Sequence, residues 1–293
     1  MHILITDSGV GGLSVVAYAE RFLRTYGFSE PVRLTFANAA PENDYGYNSM
    51  ATRQEKLDTF DRFLRNVTAR FSPDSIYVAC NTLSVLLPDT PFFLNREIPV
   101  TGIVETGVNL ILHALESDRR RTAIIFGTQT TIDAGTYPRL LEERGIDPSR
   151  IVSQACPGLA DTISEDREGK RTAAEIDRWV RVAAEKLPDR GASVLACLAC
   201  THYGYRREMF SDAFDALNIE AEVLNPNERA VDDLFGRGET PSPRQPQANV
   251  DVQFVTRYRI PDATVEALTY FLADISPRTV EAMQHFAYDP HLF

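Results

Sequence analysis

Short apolar, β-branched runs recur along this chain at intervals that admit few architectures. They are HILIT (2–6), VRLTFAN (32–38), SIYVAC (75–80), TAIIFGT (122–128), SVLACLAC (193–200) and AEVLNP (221–226). Longer stretches with helical spacing lie between them. In the segment 52–71, Leu57, Phe60, Leu64, Val67 and Phe71 step by three and four and form one apolar face. Segments 105–117, 132–144, 171–187 and 205–216 read the same way. Alternation of strand and helix predicts βαβ units and mostly parallel sheets, an α/β fold. GRGETPSPRQPQANV (236–250) reads as a linker, followed by a last strand in DVQFVTRY and a last helix in PDATVEALTYFLADI.

With 293 residues, 44% of them hydrophobic and 24% charged, the chain has ample material for a core. A formal net charge of −11 argues against a nucleic-acid partner, because phosphate binding needs a basic surface. The opening MHILITDSGVGG has neither a basic leader nor a long apolar stretch, so no secretory signal is expected. No apolar run is long enough to span a bilayer, so no membrane partner is expected. Four cysteines, Cys80, Cys156, Cys197 and Cys200, are few for this length and fit a reducing compartment, with the cytoplasm as the expected address.

The stretch LACLACTHYGY (195–205) holds two of those cysteines three residues apart. A zinc site needs four ligands, and neither the other cysteines nor the scattered histidines supply a second close pair. A redox CxxC opens a helix, whereas this apolar run continues through Cys197. Cys197 then belongs to the strand and faces away from Cys200. That leaves Cys200 as a single working thiol, beside the zinc and redox readings.

Cys80 lies in a matching context. VACNTLSVLL (78–87) and LACTHYGYRREM (198–209) each end a strand with Ala-Cys and continue into polar residues. Each thiol is expected where a strand hands over to a helix, an environment that lowers a thiol pKa. The plain alternative is that both are small buried apolar side chains. Two further strand exits carry polar groups: Asp7 and Ser8 in TDSGVGG (6–12), and Thr128, Thr130 and Thr131 in GTQTTID (127–133). The first is neither a dinucleotide fingerprint nor a P-loop. Strand exits are where open α/β sheets bind ligands, and this set suits a small polar molecule.

Taken together, ITDSGVGGLSVV, VACNTLS, GTQTTIDAGTYPRLL, ACPGL and ACTHYGY resemble the glutamate racemase group of the aspartate/glutamate racemase superfamily. The resemblance runs in order from Ile3 to about Ala230. It implies two pseudo-symmetric, doubly wound α/β domains with the active site between them. The first would be discontinuous, residues 1–98 and 228–293, and the second would span residues 99–227. It also implies a cofactor-independent, metal-free amino-acid racemase or epimerase. Cys80 and Cys200 would act as base and acid on opposite faces of the substrate Cα, assisted by Asp7 and His202. Ser8, Asn81, Thr82, Thr131 and Thr201, with the backbone of Tyr45 and Gly46, would hold the ammonium and carboxylate groups. The partner is then an amino acid or small dicarboxylate, and a homodimer is admitted as the assembly.

The chain also departs from the pattern. Asp44 stands where Pro is usual before Tyr-Gly, Leu83 replaces a smaller alanine, and Tyr203-Gly204 replace Phe-Pro. LNPNERA (224–230) replaces Asp-Ser-Gly-Glu, and an acid expected after ACPGL falls at Ser164. These changes spare both cysteines and cluster around specificity and packing. Two alternatives stay open: an isomerase or decarboxylase of a small dicarboxylic acid, needing one cysteine, and a non-catalytic amino-acid-binding homologue.

Overall fold

A computed structural model describes residues 1–43, 45–189, 191–236 and 249–293. Asp44 and nearly all of the tract read as a linker lie outside the described residues. The chain begins β1 (His2–Asp7), α1 (Leu13–Tyr26), β2 (Val32–Asn38), α2 (Arg53–Phe71), β3 (Ser75–Val78), α3 (Asn81–Ser84), α4 (Pro91–Leu94) and β4 (Val100–Gly102). It continues with α5 (Ile103–Ser117), β5 (Thr122–Gly127), α6 (Gln129–Asp133), α7 (Thr136–Glu143), β6 (Ile151–Ala155), α8 (Leu159–Glu165), α9 (Lys170–Ala184), β7 (Val194–Ala199), α10 (Arg207–Asp215) and β8 (Ala221–Leu224). It closes with α11 (Pro226–Phe235), β9 (Val250–Thr256), α12 (Asp262–Leu272), α13 (Pro277–Gln284) and β10 (Ala287–Tyr288). Two compact units result: Met1–Ile103 with Asn227–Phe293, and Val104–Pro226.

The first unit holds a six-stranded parallel sheet in the order β10-β9-β2-β1-β3-β4. The second holds a four-stranded parallel sheet in the order β6-β5-β7-β8. Counted from its own first strand, each unit runs second, first, third, fourth. This is the doubly wound pattern in which the chain leaves the first strand to one side and returns on the other. Strands covered on both faces need no polar alternation, which explains why β5 and β7 are buried at every position.

Among the helices, α2 follows the predicted face closely: Phe60, Leu64 and Val67 are buried, with Phe63 added. Thr52 caps it by accepting a hydrogen bond from the Glu55 N–H, and Ser72 ends it in the left-handed region at φ 44°. The helix predicted over 132–144 is instead two, α6 and α7, divided at Gly135, whose φ of 62° breaks the regular backbone. The helix predicted from 205 begins as a 3-10 turn, Tyr203–Arg206, and becomes α-helical only at Arg207. Among the described residues no helix is long and apolar enough to cross a membrane.

Candidate active site

In the first unit the order of strands reverses at β1, which lies between β2 and β3. The residues leaving β1 and β3 therefore emerge side by side at the carboxyl edge, where doubly wound sheets place ligands. Asp7 is the last residue of β1 and almost fully buried; the Ala79 N–H donates to the Thr6 carbonyl, bringing Cys80 alongside. The Ser8 hydroxyl lies 3.1 Å from Cys80 Sγ and 3.5 Å from Asp7 Oδ1. A line of three groups, carboxylate, hydroxyl and thiol, is thus assembled from two adjacent strand exits.

Local packing holds that line in place. A Cβ on Gly12 would meet Asp7 Cβ at 2.8 Å, so only glycine lets the loop pass the carboxylate. A Cβ on Gly102 would meet Ser84 Oγ at 2.6 Å; its absence lets β4 approach α3, whose first N–H bond runs from Ser84 to the Cys80 carbonyl. Neither Asp7 nor Ser8 caps α1, whose N-cap is Gly12. Asn81 and Thr82 open α3 immediately after Cys80 and are buried.

The Cys80 environment contradicts the expectation of a lowered thiol pKa. Burial pushes the thiol well up, and the Asp7 carboxylate pushes the same way. The Ser8 hydroxyl and N–H and the Leu83 N–H pull it down, but less. The helix that follows has only four residues, too short to offer a substantial dipole. Burial and the neighbouring carboxylate thus both favour the protonated thiol at Cys80. Leu83 is fully buried, so this departure from the family pattern is a packing change whose backbone faces the thiol.

Tyr45 and Gly46 lie on the loop between β2 and α2. The Tyr45 hydroxyl donates to Glu55 Oε1 at 2.5 Å, and the Ala51 N–H donates to Glu55 Oε2 at 3.1 Å. The first turn of α2 thereby ties down the loop at its middle and at its end nearest the helix. The next residue, Tyr47, was not singled out by sequence reasoning, because a tyrosine amid Asn, Gly and Ser reads as loop surface. It is instead 1% exposed, with its ring edge-on to Phe60.

In the second unit, β5 is flanked by β6 and β7, the same reversal. Thr128 leaves β5, accepts from the Thr131 N–H as the cap of α6, and lies 3.0 Å from the Thr131 hydroxyl. Cys200 follows β7, with Thr201 buried beside it and His202 Nδ1 3.9 Å from its sulfur. Cys200 does not start an α-helix as predicted; it precedes the 3-10 turn, with the Tyr203 N–H donating to its carbonyl. Cys197 lies within β7, fully buried, its thiol pushed up to about 12 by burial alone.

Tyr203, read from sequence as a change near the substrate, is a core residue. It is fully buried, and its hydroxyl donates to the Cys156 carbonyl at 3.2 Å. Arg206 donates to the carbonyls of Asp166 and Arg167 at 2.5 and 2.7 Å. The loop carrying Cys200 is thereby anchored to the exit of β6 and to the α8–α9 connection. Cys156 is buried at that exit, and its thiol is pushed up by burial first and by Cys200 second. Ser164 donates back to the Ala160 carbonyl within α8. All four cysteines are free, and among the described residues no group of three or more His, Cys, Asp or Glu side chains could hold a metal ion.

Comparison with known proteins follows the same lines. Residues 16–234 match the model of the family described as Asp/Glu/Hydantoin racemase. Glutamate racemase of Persephonella marina is 27% identical over 247 residues, 82% of this chain and 86% of that protein. Glutamate racemase of Aquifex pyrophilus is 31% identical over 207 residues, 69% of this chain and 71% of that protein. The crystal structure of glutamate racemase from Campylobacter jejuni has a TM-score of 0.69 at 19% identity, covering 92% of this chain and 98% of that one. That of Aquifex pyrophilus has a TM-score of 0.64 at 23% identity, covering 93% and 95%. The likeness to these structures is one of fold. With its family model and its relatives in agreement over most of its length, the chain belongs to the Asp/Glu/hydantoin racemase family.

Proposed function

We propose that the chain is a cofactor-independent amino-acid racemase or epimerase that works through Cys80 and Cys200. One observation carries this reading: the two thiols occupy the same topological position, just past the third strand of two sheets whose first four strands share one order. Each has a polar partner suited to handling a proton, Ser8 with Asp7 at Cys80 and His202 at Cys200. The α-proton of an amino acid is removed by one sulfur as thiolate, while the other sulfur, as thiol, delivers a proton to the opposite face of Cα. One S–H bond breaks as the other forms, so the pair exchanges roles and is ready for the reverse direction.

The burial and the Asp7 carboxylate that favour the Cys80 thiol support Cys80 as the proton donor in one direction of the reaction. His202 is suited to take the Cys200 proton, since an imidazole titrates near neutrality. Ser8, Asn81, Thr82, Thr131 and Thr201, with the backbone of Tyr45 and Gly46, are proposed to hold the substrate's charged groups. Glutamate is the first substrate to test, because the relatives above are glutamate racemases.

Incubation with L- and D-amino acids in D2O tests the reading. Deuterium should enter Cα with at least one member of a panel of acidic and neutral amino acids, and replacement of either cysteine by alanine should lower the rate at least about a thousandfold. Absence of exchange across the panel would overturn it. Dependence on only one of the two cysteines would instead support an isomerase or decarboxylase of a small dicarboxylic acid.

A further inference from the structure

Polar side chains are costly inside a helix–helix contact unless their donors and acceptors are matched. Two such residues meet where the chain re-enters the first unit. Asn227, in the first turn of α11 and 1% exposed, donates from Nδ2 to Ser14 Oγ at 2.9 Å. Ser14, in the first turn of α1 and 3% exposed, donates its own hydroxyl to the Gly11 carbonyl at 2.9 Å. A hydroxyl has one hydrogen, so the chain has a fixed direction: amide to hydroxyl to carbonyl. The pair is 213 residues apart in sequence, and Asn227 falls in LNPNERA, where the chain departs from the family pattern. Small apolar side chains would fill the same contact without needing alignment.

The carbonyl at the end of this chain belongs to the turn that carries Asp7 and Ser8. Gly11 lies three residues after Ser8 and directly before Gly12, which passes so close to Asp7 that no Cβ fits there. The Leu13 N–H donates to the Val10 carbonyl at 3.2 Å, and the Ser14 N–H joins its hydroxyl on the Gly11 carbonyl at 3.2 Å. At the other end, the Asp7 carbonyl accepts from the Ala39 N–H at 2.8 Å. Ser8 thus sits between two anchored ends, its hydroxyl 3.1 Å from Cys80 Sγ. The rest of α11 braces the same two exits. Asp233 accepts from the hydroxyl of Tyr77, three residues before Cys80, at 3.4 Å, and Phe235 stacks on Phe22 of α1 at 5.1 Å between centroids.

We propose that Asn227 is a positioning residue of the Cys80 centre: through Ser14 and Gly11 it holds the turn that places the Ser8 hydroxyl against the Cys80 sulfur. Its catalytic consequence rests on the racemase reading; the placement of Ser8 does not.

The test is the rate of Cys80 alkylation by iodoacetamide at pH 8, resolved by peptide mass spectrometry, because that rate follows the thiolate fraction. Ser8→Ala removes the hydroxyl itself and should slow the reaction about tenfold. Asn227→Leu should slow it about threefold or more, and Ser14→Ala, which breaks the same chain at its middle, by a similar factor. The Asn227→Leu/Ser14→Ala double variant should be no slower than either alone. In a Ser8→Ala background Asn227→Leu should have no effect, since the hydroxyl it positions is gone. A lowered thermal midpoint with unchanged alkylation gives Asn227 a packing role only and overturns the inference. So does a Ser8→Ala rate equal to that of wild type, a slowing that persists in the Ser8→Ala background, or a faster reaction, which reports an opened site. Should Asn227→Leu not fold, Ser14→Ala with and without Ser8→Ala decides by the same outcomes. The expected pattern in a protein that exchanges no Cα proton keeps the positioning role and removes the racemase reading. Cα exchange in wild type beside unaltered alkylation in Asn227→Leu removes the Asn227 inference alone.

Discussion

At Cys80, burial and the Asp7 carboxylate favour the thiol, while Ser8 and two backbone N–H groups favour the thiolate. A side chain under opposing demands is sensitive to small changes around it. Replacing Gly12 by alanine places a methyl 2.8 Å from Asp7 Cβ and 3.1 Å from Phe36, so it should cost about 1–3 kcal/mol and displace the carboxylate. Thermal unfolding and Cα exchange measured together should both fall. Cys197→Ala, by contrast, removes a sulfur from a fully buried strand position and should cost about 1 kcal/mol or more while sparing Cα exchange in the folded enzyme. An equal loss of activity there would contradict the roles assigned to Cys80 and Cys200. At this scale the sequence made chemistry-bearing groups legible but not which way departures from pattern would face. Tyr203 and Leu83 stood out as departures around specificity and packing, and both are fully buried, like the cysteines they follow. Tyr47 shows the reverse: nothing in its polar surroundings signals that it is enclosed.

The connections between strands and helices show how the second unit steadies its loops. Asp166 ends the turn after α8, where its carboxylate accepts from the Thr172 N–H and hydroxyl at 2.8 and 3.0 Å. Burial pushes its pKa up, but these bonds and the N–H groups of Gly169 and Arg171 outweigh burial and hold it below the ordinary 3.8. A depressed native pKa means that the stabilisation is fully present above pH 3.8 and disappears as the pH falls through the lower native value. Asp166→Ala should therefore lower stability by about 1–2 kcal/mol at pH 7, and the gap from wild type should narrow as the pH falls below 3.8. Denaturant titrations at pH 7 and below pH 3.8 check both sign and size. Strong periodicity made α2 and the central strands readable. β4 has three residues and β10 two, too few to show a period, and β6 carries Ser153 and Gln154 as an edge strand with only one covered neighbour. The break between α6 and α7 turned on the backbone of one glycine, which no pattern of apolar residues reveals.

On the scale of the whole molecule, the two units are built differently along the chain. The second is continuous, Val104–Pro226, while the first gathers Met1–Ile103 and Asn227–Phe293. Its sheet needs both parts, because β9 pairs with β2 from Val32↔Val250 to Ala37↔Val255. A fragment of residues 104–226 should fold alone and melt cooperatively by circular dichroism. A fragment ending at residue 103 lacks β9, exposes β2 as an edge, and should associate in light scattering. A disordered 104–226 fragment would contradict this division of the core. The repeated strand order was foreshadowed by the two Ala-Cys exits, but the pairing of β2 with a strand more than 200 residues later was not, since register between distant segments leaves no local mark.

That pairing also sets an order of events during synthesis. β2 ends at Asn38 and β9 begins at Val250, so a ribosome working at about 5–20 residues per second leaves roughly 10–40 s between them. Through that interval the first sheet has no partner for one side of β2, while every strand of the second sheet emerges and can pair. The unit begun first is completed last, and the newly made chain depends on what shields that side of β2 until its tail arrives.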